Sequence, residues 1–330
     1  MLFDCAARHR LRISIMQTAN GPRDAITATL CTPRENMYSM TKLYTGADNG
    51  ITTEQLEKHA VAAEEMGFVV ERVDLRAGVA GVPVPESALP LGTPPGQWPA
   101  ATVIILRDAV GGFLQMPAAE GREVVYGELC DIRYDTKMWM DRQKKALNAH
   151  ARYTSVVADC ERDSTMDFDG QGVINHFRTT PFFDKLRRQV SGFLGRETPL
   201  ISEINRYSDV KKAGIGWHGD AERALWSLVR LGPGTHEMPL MFQWFHKSEP
   251  YGRIQKLNLR WGDVCFFSSK ATGFDFGKPS LLTLRHAAGS STCSYSKPKL
   301  TREERAGKKR PAGSSDGQQQ PTLKFYRGGA

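Results

Sequence analysis

The feature that most constrains the fold is a series of short apolar runs between Pro199 and Cys293, separated by Gly, Pro and Asn. Branched and aromatic side chains dominate these runs, and such side chains favour strands. Several short strands at regular spacing are typical of a β-sandwich or barrel. The runs are PLISEINRY, LWSLVRLG, PLMFQWF, IQKLNLRWGDVCFFS and SLLTLRHA.

The chain before these runs predicts a mixture of helices and strands. The clearest helix begins after Thr52 or Thr53, either of which can cap it, and ends at Gly67, with Leu56, Ala60 and Ala63 on one face. A Pro- and Gly-rich loop follows at 78–99. Helices are expected at 53–66, 141–151 and 181–194, and strands at 68–75 and 101–106.

These patterns predict an α+β protein in four segments. A poorly defined N-terminal segment spans 1–45, and a mixed α/β region spans 46–146. The β-rich core covers 147–296, flanked by the N-terminal helices and strands. From 297 to 330 the sequence is rich in Lys, Arg, Gly, Ser, Gln and Pro, which predicts a disordered basic tail.

Composition excludes several classes of protein. Of 330 residues 40% are hydrophobic, yet no apolar run is long enough for a transmembrane helix, so no membrane partner is expected. The six cysteines are scattered without a C-x-x-C pair, which fits a reducing compartment rather than a disulfide scaffold. The net charge of +8 favours encounter with polyanions such as DNA or RNA without demonstrating it.

The two ends of the chain bear on location. The tail cluster Lys308, Lys309, Arg310 and Pro311 resembles a nuclear import signal, although a solvated charge run is a common alternative. Three arginines near the N-terminus, with few acidic residues, leave an organellar transit segment as the other alternative. We expect an intracellular protein, nuclear or cytoplasmic, rather than an exported or organellar one.

One short motif carries metal chemistry. His218-Gly-Asp220 is an H-x-D sequence, and residues two apart at the end of a strand point to the same side. His286 follows Asp220 by 66 residues, at the end of another apolar strand. Two imidazoles and one carboxylate on one side of an iron(II) ion leave open positions for oxygen and a chelating co-substrate. The alternative is two surface or capping residues and one buried core histidine.

The residues around this motif resemble a known family. The stretch INRYSDVKKAGIGWHGDAER is similar to the N-x-Y…H-x-D segment of AlkB-type 2-oxoglutarate dioxygenases, and Gly262-Asp263-Val264 matches the strand before their distal histidine. The resemblance covers roughly 147–293 and implies a double-stranded β-helix, or jelly roll. It also implies Fe(II) at His218, Asp220 and His286, with O2, 2-oxoglutarate and ascorbate as reductant. Asn205 and Tyr207 would contact the co-substrate.

The resemblance fails at one position. AlkB-type enzymes carry two arginines after the distal histidine, the first of which binds the far carboxylate of 2-oxoglutarate, but no Arg follows His286 directly. A carboxylate in a cleft requires a cation. The candidates are Lys297, Arg302, Arg305 and Arg285. Residues proposed to shape the substrate pocket are Trp217, Glu222, Arg223, Arg230, Gln243 and Asp275.

The expected function is oxidation of a methyl or alkyl group on a nucleic-acid base, as demethylation (repair) or as base modification. The alternatives are hydroxylation of a protein or small molecule, and an inactive nucleic-acid-binding module. The tail residues Gln320, Leu323, Phe325 and Tyr326 loosely resemble a sliding-clamp-binding peptide, although the aromatics come one residue too soon. A clamp is therefore a weaker expected partner than nucleic acid.

Overall fold

The computed structural model describes residues 24–32, 50–90, 92–140, 145–161, 172–220, 223–278 and 280–290. Within these residues the protein is α+β, with most strands in two sheets and few helices. The strands, in chain order, are β1 (Ala25–Cys31), β2 (Val69–Asp74), β3 (Thr102–Arg107), β4 (Lys137–Met140), β5 (Lys145–Asn148), β6 (Arg152–Ala158), β7 (Ile174–His176), β8 (Ile201–Tyr207), β9 (Gly214–His218), β10 (Trp226–Leu231), β11 (Leu240–His246), β12 (Glu249–Leu257), β13 (Val264–Phe267) and β14 (Thr283–Gly289).

The larger sheet of the described residues has eight strands in the order β2-β3-β13-β10-β1-β8-β6-β7. Its strands pair antiparallel except for β6 with β7, which pair in parallel. The centre of this sheet is β1, which lies between β10 and β8. Strands from both predicted regions, 46–146 and 147–296, therefore belong to one sheet.

The smaller sheet has four strands in the order β12-β11-β14-β9, all antiparallel. A separate two-stranded pair is formed by β4 and β5. The smaller sheet packs over one face of the larger sheet, because a single apolar cluster contains Leu228 and Cys265 of the larger sheet together with Phe242 and Leu284 of the smaller one.

Helices cover the other face of the larger sheet. They are α1 (Thr53–Glu65), α2 (Val110–Leu114), α3 (Ala118–Asp131) and α4 (Pro181–Phe193), and a short helix α5 (Ser269–Thr272) follows β13. Leu56 of α1, Val125 of α3 and Leu186 of α4 share one apolar cluster with Ile26 and Val229 of the sheet. The layers are therefore helices, eight-stranded sheet and four-stranded sheet.

Strand β1 is buried on both faces, and its side chains alternate between apolar and polar. Ile26, Ala28 and Leu30 face the helices, whereas Thr27 and Thr29 face the smaller sheet. The same alternation on β10 places Leu228 and Arg230 toward the smaller sheet. Polar side chains are thus directed into the space between the two sheets.

Most of the predicted elements are confirmed. Helix α1 begins with a capping box in which the Thr52 side chain accepts from the Gln55 N–H at 3.2 Å and the Thr52 N–H donates to Gln55 Oε1 at 2.9 Å. Gly67 ends the helix with φ of +86°. The predicted strands at 68–75 and 101–106 and the predicted helix at 181–194 are β2, β3 and α4.

Three expectations need correction. The helix predicted at 141–151 is wrong over Lys145–Asn148, which forms β5 against β4; none of these four residues is buried, so no apolar face supports a helix there. The run 254–268 is two strands, with a turn at Gly262 whose φ is +93°. The third concerns β1, a buried strand in the segment 1–45 that we expected to be poorly defined.

The predicted basic tail 297–330 lies outside the described residues. Among the residues that are described, no helix is both long enough and apolar enough to cross a membrane.

Candidate metal centre

Two histidines meet where β9 and β14 pair. His218 is the last residue of β9 and lies opposite His286 of β14 in the antiparallel register. Residues directly opposite in such a pair place their side chains on the same face of the sheet. The ring centroids lie 4.3 Å apart, and both side chains line the space between the two sheets.

The carboxylate comes from the loop after β9. The Asp220 N–H donates to the carbonyl oxygen of Thr272 at 3.1 Å, which ties this loop to the end of α5. A Cβ atom on Gly219 would lie 2.4 Å from the Gly273 oxygen and 2.5 Å from Phe276 Cβ. Glycine at the middle position of His-Gly-Asp therefore allows the close approach that fixes Asp220.

The three side chains have the geometry of a metal-ligand cluster. Asp220 Oδ1 lies 3.6 Å from His218 Nε2, and Asp220 Oδ2 lies 3.7 Å from His286 Nε2. One ligand atom from each residue falls within 4.8 Å of the other two, so the cluster could hold one metal ion. His218 Nδ1 lies 2.7 Å from the Gly216 oxygen, and donation there leaves the Nε2 lone pair free for a metal. His286 Nδ1 is buried without a partner in the described residues.

The electrostatics favour the protonation states that bind a cation. Burial raises the pKa of Asp220, but Arg223 and the two imidazoles outweigh it, so the net pKa is lowered. Burial, His218 and Arg223 lower the pKa of His286 to about 3, against the opposing effect of Asp220. A metal ligand set requires an ionised carboxylate and neutral imidazoles. Asp220 and His286 meet that requirement at neutral pH.

A buried ion pair lies beside the cluster. Arg223 Nη2 donates to Glu203 Oε2 at 2.7 Å, and Arg223 Nε lies 4.0 Å from Asp220 Oδ2. Glu203 Oε1 in turn accepts from Asn205 Nδ2 at 2.9 Å. This chain of contacts connects β8 to the loop that carries Asp220.

The cluster lies on the wall of a cavity between the two sheets, with about 480 Å³ of empty space that includes a part open to solvent. The larger sheet provides the lining residues in rows across neighbouring strands. One row is Arg230, Thr27 and Asn205, and the next is Leu228, Thr29 and Glu203. The smaller sheet contributes the two histidines of the cluster together with apolar side chains, of which Leu240 and Ala288 are opposite each other in register.

The cavity contains some of the predicted site residues and not others. The residues on its lining are His218, Asp220, His286, Asn205, Tyr207, Arg223 and Arg230. Trp217, Gln243, Asp275 and Arg285 are not among the lining residues. Glu222, Lys297, Arg302 and Arg305 lie outside the described residues.

The residues away from the cavity have other contacts. Arg285 stacks over Phe245 and Phe276, with its guanidinium 4.4 and 5.0 Å from the two ring centroids. Asp275 pairs with Lys270. Trp217 belongs to a small apolar cluster with Phe245. Because strand neighbours alternate, Arg285 and Trp217 face away from His286 and His218.

The two remaining histidines of this region differ from each other. His236 lies in the 3-10 helix Pro233–Glu237 with an exposed side chain. His246 ends β11 and is buried. Neither lines the cavity.

Thr27, Glu203 and Trp226 also line the cavity, although they were not among the predicted site residues. The sequence AITATLC does indicate the position of Thr27, because apolar residues alternate with Thr. This pattern is typical of a strand with one apolar face and one polar face. For Glu203 the signal was its position two residues before Asn205 on a strand, which places both on one face. Trp226 carried no distinguishing local signal.

Comparison with known proteins gives one distant likeness. The chain is 27% identical over 271 residues to an uncharacterized protein of Acanthamoeba polyphaga mimivirus, an alignment that covers 81% of this chain and 96% of the viral protein. No protein-family model matches the sequence. No solved structure matches it either.

Proposed function

We propose that this protein is an Fe(II)- and 2-oxoglutarate-dependent dioxygenase. The observation that carries the proposal is the convergence of His218, Asp220 and His286, with ligand atoms within 4.8 Å of one another, on the wall of a cavity. Two imidazoles and one carboxylate with open positions opposite them are the donor set of non-haem iron(II) oxygenases. When bound, iron(II), 2-oxoglutarate and oxygen supply an oxidative decarboxylation that hydroxylates a nearby C–H bond.

The chain's own residues would provide binding, orientation and exclusion of water. His218 and Asp220 are held by the Gly216 and Thr272 carbonyl oxygens, so they need little rearrangement to bind an ion. Asn205 and Tyr207 line the same cavity, as the resemblance requires for contacts to the co-substrate. The cluster is largely buried, since His286 and Asp220 are 5% and 7% exposed, which limits access of water to the reaction.

The sheets support a jelly-roll proposal with an unusual chain order. A jelly roll has eight strands in two facing sheets. Here β12-β11-β14-β9 faces a set that includes β13-β10-β1-β8. Seven of these eight strands, β8 to β14, are consecutive in the sequence, and the eighth is the N-terminal strand β1. The position between β8 and β10 is therefore filled from the start of the chain.

The proposed substrate is a methyl or alkyl group on a nucleic-acid base. The resemblance to AlkB-type enzymes and the net charge of +8 support it. Such an enzyme would act on a single strand or on a base extruded from a duplex. The competing proposal is hydroxylation of a protein or small molecule. It requires the same metal and co-substrate, but a protein or small molecule, rather than a nucleic acid, would stimulate turnover.

The experiment is succinate formation by purified protein with Fe(II), ascorbate and 2-oxoglutarate, with and without methylated DNA or RNA. We expect succinate that rises on addition of a methylated oligonucleotide and is absent from a His218→Ala variant. His236→Ala, which changes an exposed histidine away from the cavity, is the matched control and should keep full activity. No succinate from metal-loaded protein under every condition would refute the proposed chemistry.

A sliding clamp remains a separate proposed partner. A peptide of residues 314–330 that shows no affinity for a clamp in a calorimetric titration would end that proposal without affecting the enzyme.

A further inference from the structure

Arg230 is a buried cation whose guanidinium makes no hydrogen bond to any described residue. Its side chain is 0% exposed, and Nε, Nη1 and Nη2 have no hydrogen-bond partner in the part of the chain that the structure describes. A guanidinium remains charged at any physiological pH, so leaving it buried and unpaired is strongly unfavourable. An anionic ligand bound in the cavity would satisfy this guanidinium.

The nearby carboxylates are already engaged. Glu203 binds Arg223 at 2.7 Å and Asn205 at 2.9 Å. Asp263 forms an ion pair with Arg107 and also accepts from backbone N–H groups. The charge of Asp263 still acts on Arg230, but neither acid accepts a hydrogen bond from its guanidinium in the described residues.

The side chains near Arg230 are also arranged for a polar ligand. Thr27 lies opposite Arg230 on one side and opposite Asn205 on the other, so the three form one row across β10, β1 and β8. Thr27 Oγ1 and Asn205 Oδ1 are buried without partners among the described residues, and both side chains line the cavity. An unsatisfied hydroxyl thus lies one strand from an unsatisfied guanidinium, at about 5 Å between backbones.

The metal cluster lies farther along the same cavity. The ring of Trp226 is 5.4 Å from the ring of His286, and Trp226 precedes Arg230 on β10 by four residues. Four residues of strand span about 13 Å. An arginine side chain and a five-carbon diacid together can bridge such a distance, with the apolar Leu228, Leu240 and Ala288 lining the space between.

We propose that Arg230 and Thr27 form a carboxylate subsite that binds the far carboxylate of a 2-oxo dicarboxylate whose 2-oxo acid end faces His218, Asp220 and His286. The identity of this ligand as 2-oxoglutarate rests on the proposed function. The subsite explains why no arginine directly follows His286. The anchoring cation comes from β10, which precedes that histidine, and the adjoining strand is β1 from the N-terminal part of the chain. Arg285 contributes no charge here, because it stacks on aromatic rings outside the cavity lining.

The test measures ligand preference in Mn(II)-loaded protein by calorimetry. 2-Oxoglutarate is compared with 2-oxovalerate, which has the same chain length but lacks the far carboxylate. We expect wild type to prefer 2-oxoglutarate by roughly 100-fold or more, and Arg230→Gln to lose that preference while its Mn(II) affinity is unchanged. Thr27→Val should lower 2-oxoglutarate affinity roughly 10-fold.

Arg285→Gln is the matched control and should keep the wild-type preference. Arg230→Lys keeps the charge without the bidentate geometry, so it should retain part of the preference for 2-oxoglutarate. This variant replaces Arg230→Gln in the test if Arg230→Gln does not fold. Full preference in a folded Arg230→Gln variant, or loss of preference in Arg285→Gln, overturns the subsite.

A metal-free arm separates this inference from the proposed function. Glutarate has both carboxylates but no 2-oxo group, so it should raise the melting temperature of metal-free wild type and not that of Arg230→Gln. If glutarate does so while no 2-oxo acid binds the Mn(II)-loaded protein, the subsite stands and the proposed co-substrate is wrong. If neither glutarate nor 2-oxoglutarate binds, the subsite is refuted.

Discussion

Gly219→Ala tests whether the contact between the His-Gly-Asp loop and the end of α5 positions the metal ligand. The added Cβ would lie 2.4 Å from the Gly273 oxygen, 2.5 Å from Phe276 Cβ and 3.1 Å from the Gly273 carbonyl carbon. Two of these neighbours are backbone atoms, so the loop itself must move. Overpacking of this kind costs typically about 1–3 kcal/mol. Because the loop carries Asp220, we expect Mn(II) affinity to fall by about 10-fold or more, equivalent to about 1.4 kcal/mol.

The assay pairs urea denaturation of the metal-free protein with calorimetric titration of Mn(II). Gly277→Ala is the matched control: a Cβ there meets nothing within 4 Å, so stability should change by less than about 0.5 kcal/mol and metal affinity should stay the same. A Gly219→Ala variant that loses stability yet binds Mn(II) as wild type does would refute the reasoning, since Asp220 would then be positioned independently of this contact.

Three further predictions concern stability, each measured by denaturant unfolding. Arg223→Met removes the guanidinium that binds the buried carboxylate of Glu203, so it should cost about 3 kcal/mol or more, whereas the double variant Arg223→Met/Glu203→Gln should recover most of that loss; simple additivity would contradict this. Burial raises the pKa of Glu128 from 4.5 to about 7 despite its bonds from the Phe182 and Phe183 N–H groups. The carboxyl group stays protonated to higher pH in the folded state than in the unfolded state, so wild type should lose about 2.5 kcal/mol relative to Glu128→Gln as pH rises from 4.5 to 7; a constant difference across that range would count against it. Gly192→Ala, exposed in helix α4 with nothing within 4 Å of the new Cβ, should raise stability by about 0.5 kcal/mol, and an unchanged or lower midpoint would be the contrary result.

Sequence patterns predicted the structure correctly where contacts between residues close in sequence determine it. Thr52, Gln55 and Gly67 specify both ends of helix α1 through backbone hydrogen bonds that the sequence alone identifies. The His-Gly-Asp spacing likewise placed an imidazole and a carboxylate on one side, because the alternation of a strand is local.

The pairing of strands that are distant in sequence could not be predicted from such local patterns. β1 pairs with β10 and β8 across some 170 or more residues, and nothing within AITATLC specifies those partners. Arg230 is one of 44 Lys and Arg residues, and its neighbours in LWSLVRLG do not mark it as buried and unpaired. Only the packing of two sheets places that cation and Thr27 in the cavity that contains the metal cluster.

The strand run 145–148 shows the opposite failure. Its local sequence permits a helix, but a helix here would have no buried apolar face to stabilise it. Pairing with β4 instead satisfies the backbone hydrogen-bonding groups of this segment.

The most direct test of the central claim is the metal stoichiometry of the purified protein, loaded with Fe(II) without oxygen, freed of excess metal and measured by mass spectrometry. We predict one tightly bound ion per chain in wild type and in His236→Ala, and loss of that ion in His218→Ala, Asp220→Ala and His286→Ala. Equal metal content in folded wild type and all three ligand variants would contradict it.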